Sequence, residues 1–466
     1  MPRSEPARPV PMERLAIVAP AARTREALLA VAASGDVELD EPVGNGAGEG
    51  PAAEALRRAG LPAAPARRLA AAAPDLDRLV SDGQGELLRG EAELERVTAG
   101  AVERDGVRAW VGWCPGDRVP VLASELARVD SALVRLRRPA GAIPPTLLRP
   151  GTRLHDSFAP LVGTYGTVPY ADLDPTVLAG VAYVAMFGMM FADAGHGLLI
   201  LVAAAVLASG RIRRLAGLRR RWPFLAGAGL ASAAAGVALG EFFGPTGLLP
   251  VLWLSPLDQP VKLLAAGVGM GAVLLAVAYV AGAVNRWREG GVKRALYAPT
   301  GIAGAGLFAG LGALAAGLYL GHWGIAGPGA AITAAALLLC AAGLYAGSGG
   351  GAAGVAQAGV QLFDLVLRVG ANLVSFARLA AFGLTHAALG ALVWTAAVAL
   401  WQRGVVGMAG AVLVFALGNA VTFALEALVA AVQALRLEYY ELFSRVFEEL
   451  GRPFRPWAPP VEEVPR

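Results

Sequence analysis

Residues 172–208 read DLDPTVLAGVAYVAMFGMMFADAGHGLLILVAAAVLA. Asp174 and Pro175 make a good helix start, an N-cap followed by a proline at the first helical position. As one straight helix the apolar run that follows would be ~50 Å long at 1.5 Å per residue. That is long for a single crossing of a hydrocarbon core ~30 Å thick. ADAGHG (192–197) interrupts the run near its middle, where the chain can fold back into a hairpin of two short helices. One crossing or two at this point sets the topology of everything downstream.

Charge decides between them. RIRRLAGLRRRW (211–222) carries six arginines and belongs on the cytoplasmic side by the positive-inside rule. The opening MPRSEPARPVP has no apolar core of a signal peptide, so the polar N-terminal region is expected to stay in the cytoplasm. An even number of crossings must then lie between the two, and the hairpin is selected. Further spans are expected at about 223–243, 262–284, 301–320, 328–346, 355–401 and 407–434, with the basic NRWREGGVKR (285–294) as an inside loop. The total is eight crossings, the last two long, with both termini cytoplasmic. The localisation expected is a multi-pass membrane protein.

Composition agrees. The 466 residues are 56% hydrophobic and 16% charged, with mean hydropathy +0.54, whereas soluble domains carry about 25% charged residues. Abundant Gly and Ala in the second part suit close helix packing in lipid. The net charge of +4 is nearly all arginine and reads as topogenic charge. No basic patch is interleaved with aromatics, so nucleic acid is not expected as a partner. Cys114 and Cys340 are the two cysteines, one in each part, so no disulfide framework is implied.

The expected division is a disordered 1–12, a small α/β cytoplasmic domain at 13–150, a linker at 151–174, a membrane domain at 175–448 and a cytoplasmic tail at 449–466. Within the small domain, 14–20 and 108–115 read as strands, 24–34 as a helix and 36–41 as a second strand. GNGAGEGPAAE (44–54) reads as a linker, 52–104 as helices and 120–136 as a further helix. No phosphate loop, HExxH or CxxC occurs in this region, so no catalytic residue, cofactor or metal site is expected.

The last two spans carry polar stripes. Steps of three and four join Gln357, Gln361, Asp364, Arg368, Asn372, Ser375, Arg378 and Thr385 or His386, which places them on one helical face. Asn419, Thr422, Glu426, Gln433, Arg436 and Tyr440 repeat the pattern in the next span. By helix rise, Arg378 and Arg436 can share a level near mid-membrane, and His386 and Glu426 another nearer the outside. A charge at the centre of a membrane helix costs roughly 2.5–3.5 kcal/mol on insertion scales, so four ionisable groups on matched faces point to an ion path. His and Glu can change protonation near neutral pH when their surroundings shift them, whereas arginine stays positive. Arg378 is therefore a barrier to protons and a partner for a passing carboxylate. Structural alternatives are a buried Arg436–Glu426 ion pair, a packed His386, and His196 as a turn or interface residue, with Asp193 open between the two roles.

In these residues the chain resembles the a subunit (subunit I in prokaryotes) of V-type and V/A-type rotary ATPases. The shared segments are VPYADLDPT (168–176), MFGMMFADAGHGLL (186–199), GEFFG (240–244), NRWREGGVKRAL (285–296), NLVSFARLAAFGLTHAAL (372–389) and LEALVAAVQALRLEYYELFSRVFEELGRPFRPW (425–457). MERLAIVAPAARTREALLAVAASGDVELDE (12–41) and AWVGWCP (109–115) resemble the family's N-terminal segments. The resemblance implies a membrane stator that forms two offset half-channels for H⁺ or Na⁺ against a rotating proteolipid ring. It implies that Arg378 displaces the ion from the ring carboxylate, with Arg436 as companion, Glu426 and His386 in the outer half-channel and Asp364 in the cytoplasmic one. Asp193, Glu241, Ser375 and Gln433 are secondary members. Implied partners are the ring, peripheral stalk subunits of the E/G type, a subunit of the central stalk through the N-terminal domain, and membrane lipid. ATP hydrolysis would belong to another subcomplex. Two departures stand out: Arg368 replaces an uncharged polar residue, and the N-terminal domain is shorter than the family's arm. The alternatives are a non-translocating assembly homologue and a secondary transporter. No internal repeat supports the transporter.

Overall fold

The computed structural model describes residues 9–40, 50–62, 68–139, 141–148, 151–447 and 451–462. These form two units, one of 9–148 with 451–462 and one of 151–447. The first contains β1 (Met12–Pro20), α1 (Thr24–Ser34), β2 (Glu38–Leu39), α2 (Pro51–Arg58), β3 (Leu69–Ala70), α3 (Leu76–Ser81) and α4 (Gly85–Ala99). It continues with β4 (Val102–Arg104), β5 (Val107–Pro115), α5 (Val119–Ala127), β6 (Ala132–Arg135) and β7 (Val461–Glu462). The main sheet has the order β2-β5-β1-β6, with β4 on β5. β1 and β5 are antiparallel, Ile17 lying opposite Trp110. Alternation along β1 sends Leu15, Ile17 and Ala19 to one face. There they are buried with Leu28 and Val31 of α1 and Leu122 and Leu126 of α5.

Four expectations for this unit change. Residues 9–12 are ordered: Val10 is buried and its N–H donates to Leu147 O. The helix read at 120–136 ends at Ala127. After a turn with positive φ at Asp130, the chain becomes β6 on the free edge of β1, because an open ladder edge outcompetes helix propensity there. Likewise 102–104 is strand rather than helix. The tail is not separate: β7 pairs in parallel with β3, and Glu38 holds Arg452 at 2.5 Å. Of the linker read at 44–54, residues 44–49 lie outside the described residues, and α2 begins at Pro51.

The second unit is helical: α6 (Arg153–Tyr165), α7 (Thr176–Met190), α8 (Ala194–Ser209), α9 (Trp222–Leu239), α10 (Pro260–Tyr297), α11 (Ile302–Leu320) and α12 (Trp323–Gly347). It ends with α13 (Gly351–Ser375), α14 (Ala377–Trp401) and α15 (Gly404–Leu437), which runs into a π-helical turn at Glu438–Phe443. Six of its helical stretches are long and apolar enough to cross a membrane, and α7 and α8 are shorter apolar helices. The run at 172–208 is therefore a helical hairpin. Its second arm packs on α9, where a Cβ on Gly236 would lie 2.1 Å from Ala194 N and one on Gly197 2.4 Å from Ala233 N. Small residues let these backbones meet.

Three differences have local causes. The linker at 151–174 contains α6, capped by Thr152 Oγ1 accepting from His155 N. The basic loop read at 285–294 is the end of α10, with a break where Gly291 takes φ 69°. Arg286 is almost fully buried there, bonded to Glu289 at 2.6 Å and lying 3.8 Å from Asp172. The span read at 355–401 is two helices meeting at Phe376, which is fully buried against Gly271 of α10. Burial of the apolar windows is uneven. It is 28–33% for the other five long stretches and 11% for the one containing α15.

Candidate functional site

Asp193 sits at the hairpin bend as the N-cap of α8, and its side chain accepts from His196 N at 2.8 Å. It also accepts from Phe243 N at 3.0 Å and Gly244 N at 2.8 Å, and the residue is 0% exposed. Three N–H donors, one from the first turn of α8 and two from the loop after α9, satisfy this buried carboxylate. Gly244, with φ 89°, brings its N–H there while packing on the backbone of Gly390 in α14, where a Cβ would lie 2.8 Å from Gly390 O.

Two histidines meet this anion. His196 Nδ1 and His386 Nε2 are each 3.8 Å from an Asp193 oxygen, and both rings are buried. The other nitrogen of His386, Nδ1, bonds Glu426 of α15. An imidazole thus sits between two carboxylates, supplied by α14, the hairpin and α15. Glu426 Oε1 is buried without a hydrogen bond among the described residues, so this carboxylate keeps a free acceptor on the far side of the histidine. Glu241, also buried, is near enough to Asp193 and His386 for the charges to interact.

The arginine stripe is built differently. Arg378 lies two residues past the Phe376 junction and is half-buried. Its Nη1 is buried and makes no hydrogen bond among the described residues. Arg436 and Glu441 lie within electrostatic range of it. Arg436 is exposed, and Gln433, one turn earlier, has a buried amide oxygen with no hydrogen bond among the described residues. Ser375 is half-buried at the end of α13. Asp364 pairs with Arg368 one turn along α13, with side-chain exposures of 48% and 67%. With its amide oriented to suit its neighbours, Asn372 donates to Glu441 and accepts from Arg445, which ties α13 to the turn after α15.

The structure thus brings together Asp193, His386 and Glu426, with Glu241 beside them. It sets Asp364 with Arg368 apart from that group. His196, read as a turn or interface residue, is a full member of the cluster. Its spacing of three from Asp193 on a helix start was the available signal. The donor atoms of Asp193, His196 and His386 also lie close enough together to share an ion.

Residues 102–214 match the model of the V-type ATPase 116kDa subunit family. The chain is 25% identical over 396 residues to the A-type ATP synthase subunit I of Thermococcus kodakarensis, covering 80% of this chain and 57% of that protein. It is 27% identical over 354 residues to that of Aeropyrum pernix, covering 64% and 49%. It is 33% identical over 208 residues to V-type ATP synthase subunit I 2 of Treponema pallidum, covering 40% and 43%. The chain spans about half the length of these curated relatives. On these matches the chain is similar to the V-type ATPase 116kDa subunit family at residues 102–214 and to A-type ATP synthase subunit I over most of its length.

Proposed function

We propose that this chain is the membrane stator of a V/A-type rotary ATPase and conducts H⁺ or Na⁺ through two half-channels against a proteolipid ring. The observation that supports this most is the buried Nη1 of Arg378, without a hydrogen bond among the described residues, in a unit where the stretch containing α15 is the least buried of the long ones. A buried donor left unpaired costs about 1–3 kcal/mol, more when charged, and a carboxylate arriving on a neighbouring helix would satisfy it. Arginine keeps its charge throughout, so it can attract the ring carboxylate, release its ion and prevent direct leakage between half-channels.

In this scheme Glu426, His386 and Asp193 line the outer half-channel, with Glu241 beside them. Glu426 Oε1 is the open end that exchanges a proton with the ring, and His386 is the relay behind it. Asp193, held by three N–H groups, stays an anion that stabilises charge on the histidines. Asp364, Arg368 and Ser375 line the inner half-channel, and Gln433 and Arg436 flank the crossing point. Residues 9–148 and 451–462 fold as one unit, which supports an even number of crossings with both ends on the cytoplasmic side. That unit is the surface for stalk subunits.

The test is proton pumping by vesicles carrying the assembled complex, wild type against Arg378→Ala, with ring co-purification as the assembly check. Pumping should vanish while assembly survives. Unchanged pumping would refute translocation through this stripe and favour an assembly role.

A further inference from the structure

We infer that Asp193, His196 and His386 form a binding site for one tetrahedral divalent metal ion of the Zn²⁺ class. The site stands on its own geometry, and a bound metal would occupy the relay that the proposed function assigns to His386. Two of the chain's four histidines meet here, from the first turn of α8 and from α14. Both imidazoles and the carboxylate are at most 3% exposed, and one ligand atom from each of the three lies within 4.8 Å of the others.

The donor set selects the metal. Two imidazole nitrogens and one carboxylate oxygen, with a fourth position left for water, is a set that suits Zn²⁺. Mg²⁺ and Ca²⁺ prefer all-oxygen sites. With metal–ligand bonds near 2.0–2.1 Å, tetrahedral donors lie roughly 3.4 Å apart. Each histidine is 3.8 Å from an Asp193 oxygen, His196 from Oδ1 and His386 from Oδ2, so closure draws the imidazoles inward onto one of them.

Two further observations point to a ligand. His196 is 1% exposed; neither ring nitrogen makes a hydrogen bond of good geometry among the described residues, and its polar neighbours are Asp193 and Asn419. A buried imidazole so weakly partnered can accept a ligand. Its ring is fixed in place, 5.5 Å from Phe191 in a stacked arrangement and 5.2 Å from Phe243 edge-on. Second, Glu426 accepts from His386 Nδ1. That is the carboxylate–histidine arrangement that orients metal-binding imidazoles, and it turns Nε2 toward Asp193.

The experiment uses the full chain, purified without a histidine tag. Zn²⁺ binding is titrated calorimetrically, and Co²⁺ substitutes as a visible-absorption probe of tetrahedral coordination. One Zn²⁺ per chain and a tetrahedral Co²⁺ spectrum are expected. His196→Phe keeps the ring's place among Phe191, Phe243 and Phe423 while removing a ligand, and should abolish both signals with an unchanged gel-filtration profile. Glu426→Gln should weaken binding roughly 10–100-fold, as loss of an orienting carboxylate does. The exposed His322→Ala should bind as wild type. Absence of stoichiometric Zn²⁺ in the wild type, or undiminished binding by folded His196→Phe, would overturn the inference.

Discussion

The cluster around Asp193 and the stripe around Arg378 are both polar groups set in apolar helices, yet they are completed differently. Around Asp193 the chain supplies both signs of charge. Three backbone donors and two histidines surround the carboxylate, and Glu426 backs His386. Around Arg378 the chain supplies Arg436 and, farther along, Glu441, and leaves Nη1 of the guanidinium without a hydrogen bond among the described residues, in a unit where the stretch containing α15 is the least buried of the long ones. The contrast fits the proposed function, in which a ring carboxylate would meet the arginine stripe while the cluster keeps its own acceptor open at Glu426 Oε1. Closed charge networks are costly to break and belong to the fold, whereas an open charge is costly to leave unpaired and invites a partner.

The largest expected effect is on the closed side. Asp193→Ala removes the acceptor of three N–H groups and the counter-charge of two histidines. It should destabilise the membrane unit by roughly 3–5 kcal/mol, as breaking a buried ionic network does, seen as a lower midpoint in detergent melting. A midpoint equal to wild type would mean that the cluster is not a structural hub. Next comes a purely structural pair in the other unit. Arg25 bonds Glu91 at 2.6 and 2.8 Å and Ala70 O at 2.7 Å. Glu91→Ala should cost about 1.5–3 kcal/mol by denaturant unfolding while leaving pumping per folded complex unchanged.

Arg436→Ala sharpens the comparison from the open side. Arg436 is exposed, so stability should change within ~0.5 kcal/mol while pumping falls. An equal loss of both would place it in the fold instead. The smallest effect concerns Cys114, whose thiol burial pushes up to about 12. It stays protonated through neutral and mildly alkaline pH and should resist maleimide labelling until the protein unfolds. Rapid labelling of the native chain would contradict the packed β5.

Legibility in the sequence follows the same division. Strong local signals carried through: the ADAGHG bend, the alternation that made β1 and β5 strands, and a helix start at Asp174–Pro175, displaced by one so that Pro175 is the N-cap and Asp174 accepts from Thr176 N. The helical period alone placed His386 and Glu426 on matched levels, and they are bonded. Readings failed where a distant partner overrides local preference. β6 forms because β1 has a free edge, and the end of α10 is helical because Glu289 and Asp172 neutralise Arg286. The spacing of Asp193 and His196 was a signal for the membership of His196, but the loop after α9 that brings Phe243 and Gly244 to Asp193 is a closure that no spacing records. Whether Arg378 meets a ring carboxylate concerns a second chain, beyond the reach of one sequence.

The most direct test of that completion is cysteine cross-linking from α15 in the assembled complex. Leu425 and Val432 lie on the face of Arg436 by helical period and are 59% and 53% exposed; Leu318 on α11 is a matched control at 58%. The native Cys114 and Cys340 are buried, so the background is quiet. Leu425→Cys and Val432→Cys should cross-link to the carboxylate-bearing helix of the proteolipid, and Leu318→Cys should not. Cross-links from α11 alone, or from neither helix in a complex that retains its ring, would contradict the claim that the open arginine stripe is completed by that partner.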